Sequence, residues 1–210
     1  MILVLDLEVQ PDYRYLGPNI DRLLPGETEY QVFVDELFRP DLEQYDGVVL
    51  SGSTASVYDD DHADWIEPAA EIVHRCRDQK VPLLGICFGH QLIHDALGGV
   101  VKEDRRRATF IEIEHIEDDL VLDGLDPIVP VLHADLVIEP GDELVTTART
   151  AYNDHFCSRH NDAPIWTVQF HPEFTEQIKD EPSDWSDCDH SFDDSNATRV
   201  LENFAYYCLA

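Results

Sequence analysis

The sequence predicts an α/β fold: an open, mostly parallel sheet flanked by helices, with an additional β-rich portion in the second half. Short continuous apolar runs alternate with amphipathic helical stretches through the first hundred residues. Apolar runs without polar alternation are what strands covered on both faces require, and short strand–helix links keep such strands parallel. Beyond residue 105 the helical periodicity gives way to closely spaced strand-like runs.

Residues 2–5 are uniformly apolar, close on Asp6 and form a first strand. Residues 30–34 are a second candidate, and 46–52 a third, ended by the small-residue turn Ser51-Gly52. Over 63–79, Ile66, Ala69, Ala70, Val73 and Cys76 recur at helical spacing, giving an amphipathic helix. Asp59-Asp60-Asp61 and Asp64 place negative charge at its N-terminus, where the helix dipole favours it. Residues 81–86 read as a fourth strand, and 89–97 as a helix stopped by Gly98-Gly99. In the second half, 109–116, 129–133, 143–147, 155–158 and 165–170 read as strands. Residues 180–195 form an acidic, turn-rich stretch, an insertion that is either ordered or mobile. The chain closes in a helix capped by Ser195, with Ala197, Val200, Leu201, Phe204 and Cys208 on the stripe that docks on the sheet. Without a repeat or a low-complexity segment, the 210 residues are expected to form one domain carrying this insertion.

Composition narrows the partners. The chain has 44 acidic against 14 basic residues, a formal net charge of −30, which speaks against a nucleic-acid surface and an anionic membrane. Lysine occurs three times against eleven arginines, and Asp outnumbers Glu 27 to 17. Such an acidic, lysine-poor composition resembles that of proteins from salt-loving organisms, where salt screens self-repulsion and carboxylates keep the surface hydrated. The five cysteines, Cys76, Cys87, Cys157, Cys188 and Cys208, have no paired spacing, which suggests free thiols in a reducing compartment. The N-terminal apolar run has no basic flank and is too short to span a bilayer, so a cytoplasmic location is expected.

Chemistry concentrates where the fourth strand turns into a helix. Gly85-Ile86-Cys87-Phe88-Gly89 has the steric logic of a nucleophile elbow, with glycines flanking a reactive side chain at a helix N-terminus that favours the thiolate. Taken alone, the pentapeptide is equally compatible with a small buried cysteine. Downstream, Gln169-Phe170-His171-Pro172-Glu173 supplies the base a thiol needs and a carboxylate to orient it. Two residues apart at a strand end, His171 and Glu173 are expected to point to the same side of extended backbone.

These two segments resemble the signatures of the class I (triad) glutamine amidotransferases. Gly52-Ser53-Thr54 resembles the family's oxyanion loop, and His133-Ala134-Asp135 its glutamine-pocket segment. The order and spacing hold across nearly the whole chain, and the resemblance is closest to glutaminase units of the GMP synthase type. It implies a flavodoxin-like core and hydrolysis of L-glutamine to glutamate and ammonia through a Cys87 γ-glutamyl thioester. His171 is then the proton carrier and Glu173 its orienter. The N–H groups of Ser53 and Phe88 stabilise the oxyanion, typically by about 3–4 kcal/mol per donor. Gly52, Gln91, His133, Ala134 and Asp135 help form the glutamine site. No metal or cofactor is implied, and an ammonia-accepting synthase is the implied partner. Neither a phosphate loop nor an adenylating loop occurs in the chain, which places ATP-driven use of the ammonia on another chain.

Four departures from the family pattern stand out. Ser53 and Thr54 replace Gly-Pro, and Ser53 is expected to resist a positive φ that glycine accepts. Ala134 replaces a glycine. Arg105-Arg106-Arg107 stands where an acidic, glycine-containing segment is usual, and 8–15 lacks the usual glycine turn. The arginines read either as internal ion pairs or as a docking patch. Two rival functions share the motifs: a γ-glutamyl peptidase or hydrolase using the same thioester, and a catalytically weak regulatory member of the fold. A zinc set of Cys87, His90 and His94 would consume the nucleophile. Asp187, Asp189, Ser191 and Asp193 imitate a calcium loop, but Phe192 and Thr198 stand at its glycine and glutamate places, so a hydrated acidic loop is the expectation.

Overall fold

A computed structural model describes all of residues 1–210. In chain order the elements are β1 (Ile2–Asp6), α1 (Leu16–Leu23), β2 (Thr28–Val32), β3 (Gly47–Leu50), α2 (Ala63–Gln79), β4 (Leu83–Ile86) and α3 (Phe88–Ala96). There follow β5 (Val100–Lys102), β6 (Arg107–Glu112), β7 (Glu114–His115), β8 (Ile128–His133), β9 (Leu136–Glu139), β10 (Leu144–Arg149), β11 (Cys157–His160), β12 (Ile165–Val168) and α4 (Arg199–Cys208). The main sheet has eight strands in the order β2-β1-β3-β4-β12-β11-β10-β7. Pairing is parallel from β2 to β12 and antiparallel beyond it. Two small antiparallel pairs, β5 with β9 and β6 with β8, complete the β-rich second half.

The apolar runs become central strands because both faces are covered. Ile2 and Val4 face a layer that includes Ile20 of α1 and Val200, Leu201 and Phe204 of α4. Leu3 and Leu5 face the opposite layer, with Ile66, Ile72 and Val73 of α2 and Leu92 and Ile93 of α3. Each such side chain, fully buried, stabilises by about 1.5–3 kcal/mol. No helix of the chain is long and apolar enough to cross a membrane.

The helix over 63–79 forms as expected, and Asp59 caps the short 3-10 turn that leads into it by accepting the Asp61 N–H. Several other expectations shift. α1 is absent from the sequence reading because Gly17 and Pro18 lie in its first turn, where proline is tolerated but reads as a breaker. The short strands β5 and β9 also escape it. The run 109–116 breaks at Ile113 into β6 and β7, and the run from 143 begins at Leu144 because Glu143 has φ +62°. Ser195 does not cap the last helix. It ends the 3-10 turn Phe192–Asp194, and α4 starts at Arg199, four residues later.

Of the two alternatives for the insertion at 180–195, the structure shows the ordered one. Trp185 and Phe192 pack on Phe110 and Phe174, with ring centroids 4.6–5.8 Å apart, and Ser186 bridges to the edge of β6 at Thr109. Its charge remains unbalanced. Eight carboxylates in the whole chain pair with an Arg or Lys side chain, out of 44. The Debye length falls from about 10 Å at 0.1 M salt to about 3 Å at 1 M, so screening removes most of the remaining repulsion. The thermal unfolding midpoint is therefore expected to rise by about 10 °C or more between 0.1 and 2 M KCl, at the ~2–4 °C per kcal/mol usual for this size. Circular dichroism melts across a KCl series decide it, and a flat midpoint removes the salt-adapted reading.

Candidate active site

Cys87 is the single residue between β4 and α3, with φ +53° and ψ −103°. A non-glycine residue there stores about 1–3 kcal/mol of backbone strain, and the surroundings hold it. Its N–H donates to the Val168 carbonyl (2.9 Å) on β12, and its carbonyl accepts from Gln91 N–H (3.1 Å) on α3. Gly89 is required beside it, because a Cβ there would lie 2.4 Å from the Leu50 carbonyl oxygen and push α3 off β3. The thiol lies 3.9 Å from the Leu132 carbonyl oxygen at the end of β8.

β12 stops at Val168, so His171 and Glu173 do not lie on extended backbone as the sequence suggested. They meet across a turn closed by the Phe174 N–H on the His171 carbonyl (3.1 Å). His171 Nδ1 lies 2.7 Å from Glu173 Oε1, with both residues buried. Asn19 of α1 donates its side-chain amide to the Glu173 carbonyl, and the Pro130 carbonyl accepts the His171 N–H (2.9 Å), so two elements fix the turn. His171 Nε2 is buried without a hydrogen-bond partner. Burial lowers the His171 pKa, but the charges of Glu173 and Cys87 outweigh it and push the imidazole up to about 10. Gly52 brings the loop after β3 onto this pair: a Cβ there would sit 2.9 Å from His171 Cε1 and 3.6 Å from Cys87 Cβ.

Cys87 and His171 open into one cavity of about 440 Å³. Of the residues expected at the glutamine site and oxyanion loop, Ser53, Gln91, His133, Ala134 and Asp135 line it, whereas Gly52 and Phe88 do not. Gly52 lies behind His171, and the Phe88 ring packs against Trp65 at 5.4 Å. The backbone N–H groups of Ser53 and Phe88 donate to no acceptor within the protein. The φ of Ser53 is not positive, so the strain expected of it there is absent. Gln91 Nε2 donates to the Asp135 carbonyl and to Gln169 Oε1, both at 3.1 Å. Burial pushes His133 down to about 3. The neutral ring then donates from Nδ1 to the Asp135 carbonyl and accepts the Tyr152 hydroxyl at Nε2, both at 3.1 Å.

Several lining residues were not among the site residues expected from the sequence, including Glu8, Tyr15, Thr54, Arg106 and Asp184. The available signal was positional, since Glu8, Thr54 and Arg106 all fall in the segments that depart from the family pattern. The arginine cluster does not form one patch. Arg106 reaches the cavity and pairs with Asp184 (2.9 Å). Arg107 pairs with Asp104 (2.7 Å) and stacks 3.8 Å over the Tyr152 ring. Arg105 alone carries no ion pair and is exposed.

No three His, Cys, Asp or Glu side chains converge as a metal set. His90 and His94 stack edge-to-face at 4.6 Å and share Thr167. In the insertion, Asp187 accepts the Trp185 indole N–H and Asp194 caps Ser191. All five cysteines are unpaired.

Sheet and cavity together define an α/β protein of flavodoxin-like architecture, with a cysteine at the β4–α3 junction and a histidine and carboxylate in the turn after the neighbouring strand β12. Residues 25–182 match the sequence model of the family Glutamine amidotransferase class-I. The chain belongs to that enzyme family. It is 36% identical over 220 residues to a glutamine-hydrolyzing GMP synthase component from Methanopyrus kandleri, covering 99% of this chain and 98% of that one. It is 31% identical over 173 residues to gamma-glutamyl peptidase 5 of Arabidopsis thaliana, covering 76% and 63%. A solved glutamine amidotransferase from Thermotoga maritima shares the fold with a TM-score of 0.73 at 19% identity, over 100% of this chain and 96% of that one.

Proposed function

We propose that the chain, acting as one domain over residues 1–210, hydrolyses L-glutamine with Cys87, His171 and Glu173 and passes the ammonia to a separate synthase of the GMP-synthase type. The observation that carries this reading is the strained Cys87 at a helix N-terminus, sharing a cavity with a buried His171 held by Glu173. The Cys87 sulfur attacks the side-chain amide carbon, and the carbonyl π pair moves to oxygen, where the free N–H groups of Ser53 and Phe88 receive it. Collapse expels ammonia with a proton from His171 and leaves a γ-glutamyl thioester. Water, deprotonated by His171, then attacks the thioester, and glutamate leaves as sulfur recovers its electron pair. Glu173 holds the imidazole in register throughout. None of these steps calls for a cofactor.

The likeness to a plant gamma-glutamyl peptidase motivates a second reading, in which the same thioester forms on γ-glutamyl peptides and no synthase is needed. Assaying the purified protein in high KCl with glutamine and with γ-glutamyl dipeptides separates the two. The amidotransferase reading expects slow glutamine hydrolysis that accelerates about tenfold or more when a synthase partner and its nucleotide substrate complete the closed state. Rapid, partner-independent cleavage of dipeptides in preference to glutamine would transfer the assignment to the peptidase. A regulatory member would turn over neither.

A further inference from the structure

The first strand's exit loop contains a carboxylate that the steps above leave unused. Glu8 is 6% exposed and lies in the cavity wall. Its Oε2 accepts the Thr54 N–H (2.8 Å), and its Oε1 accepts both the Thr54 hydroxyl (2.5 Å) and the Gln10 N–H (2.8 Å). Gln10 Nε2 donates back to Thr54 Oγ1 (2.9 Å), closing a ring of side chains across two loops. One step upstream, Asp6 accepts the Glu8 N–H (2.9 Å), and Ser51 Oγ accepts the Leu7 N–H (2.9 Å). Two successive rungs therefore tie 6–10 to 51–54, and Thr54 is the residue directly after Ser53.

We infer that Glu8 is a positioning residue for the loop that presents the Ser53 N–H to the reacting carbonyl. Three features carry this. Burial holds the Glu8 carboxyl above the usual range even though Thr54 and Gln10 bond to it, and a buried carboxylate is costly to keep unless it has a structural return. Both donors of Thr54 converge on that one carboxylate, which removes the loop's freedom to rotate at the position next to Ser53. Ser53 itself is held only locally, its hydroxyl accepting the Ala55 N–H (3.1 Å), and at the residue next to it the anchors from outside the loop are Glu8, which takes both donors of Thr54, and Gln10. The two departures from the family pattern, at 8 and at 54, are thus partners. Where a proline would stiffen the loop covalently, this chain has a threonine whose N–H and hydroxyl are fastened by Glu8. Misplacing an oxyanion donor by a fraction of an ångström weakens it where charge develops, without disturbing the thiol.

The inference rests on the proposed thioester chemistry, and the test separates the two. In a Cys188→Ser background, glutamine hydrolysis is compared with iodoacetamide alkylation of Cys87, followed by peptide mapping. Alkylation displaces iodide at a saturated carbon and forms no oxyanion, so it reports the thiol and the fold alone. Glu8→Gln and Thr54→Val are expected to lower kcat for glutamine about 10- to 100-fold, with KM little changed and the alkylation rate within about twofold of the background protein. In Glu8→Ala/Thr54→Pro, where the proline has no N–H to satisfy, the loss is expected to be smaller than for Glu8→Ala alone. Unchanged kcat in Glu8→Gln overturns the inference. So does a proportional fall of hydrolysis and alkylation in both single variants, which would mean general damage. A background protein that is alkylated at Cys87 but hydrolyses no glutamine would instead overturn the glutaminase reading.

Discussion

Cys87→Ala is expected to leave no measurable glutamine hydrolysis, a loss of about 10⁶ in kcat, because no other thiol can reach the cavity. Cys76 and Cys157 are buried away from it, burial pushing the Cys76 thiol up to about 12 and the Cys157 thiol well above its usual range. Cys208 is the last residue of α4, and burial likewise pushes its thiol up to about 12. Cys188 is the competitor that matters. It is exposed, and hydrogen bonds from Thr109 and Ser186 hold its thiol below the usual range. A small unspecific alkylator should therefore modify Cys188 as well as Cys87. A glutamine-like diazo-ketone, which must first occupy the cavity, should label Cys87 alone. Intact mass and peptide mapping distinguish these results, and a diazo-ketone adduct mainly at Cys188 would remove Cys87 from the reaction.

The second large effect lies in the His171–Glu173 pair. His171→Ala should cost about 10⁴- to 10⁶-fold in kcat and Glu173→Gln about 10²- to 10⁴-fold, since the carboxylate orients and stabilises without itself reacting. The two losses should not add, because they interrupt one unit. The titration gives an independent readout. In the wild type the charges of Glu173 and Cys87 outweigh burial and hold the imidazole up to about 10. With Glu173→Gln the main raising influence is gone, burial prevails, and the His171 pKa falls. Imidazole nitrogen shifts of labelled protein at pH 8 should then show a protonated ring in the wild type and a neutral one in the variant. The sign for stability follows. A group whose pKa rises on folding stabilises fully below its ordinary value of 6.5, and that contribution disappears as pH climbs through about 10. A variant that keeps both the wild-type rate and the protonated ring would remove Glu173 from its assigned role.

The alternation of apolar runs and helical stripes was enough to predict the parallel sheet, because strands covered on both faces cannot tolerate polar residues and helices covered on one face must show a stripe. Cys87, His171 and Glu173 stood out as candidates for a related reason: the elbow and the histidine–carboxylate turn are each built from residues close in sequence. The sequence misjudged how His171 meets Glu173, treating a turn as extended backbone. It also passed over α1, because Pro18 carries the same local signature whether it opens a helix or prevents one. The cavity wall was least legible. Glu8 and Thr54 are 46 residues apart and Arg106 and Asp184 are 78 apart, and no local pattern specifies which distant partner a carboxylate will find. The composition likewise left open whether the acidic stretch 180–195 is ordered or mobile, and the packing of Trp185 and Phe192 on Phe110 and Phe174 decided that it is ordered. Local spacing thus determined most of the elements and pointed to the groups proposed to react. The identity of the groups that enclose them was decided only by tertiary packing, since it depends on which segments the sheet order brings side by side.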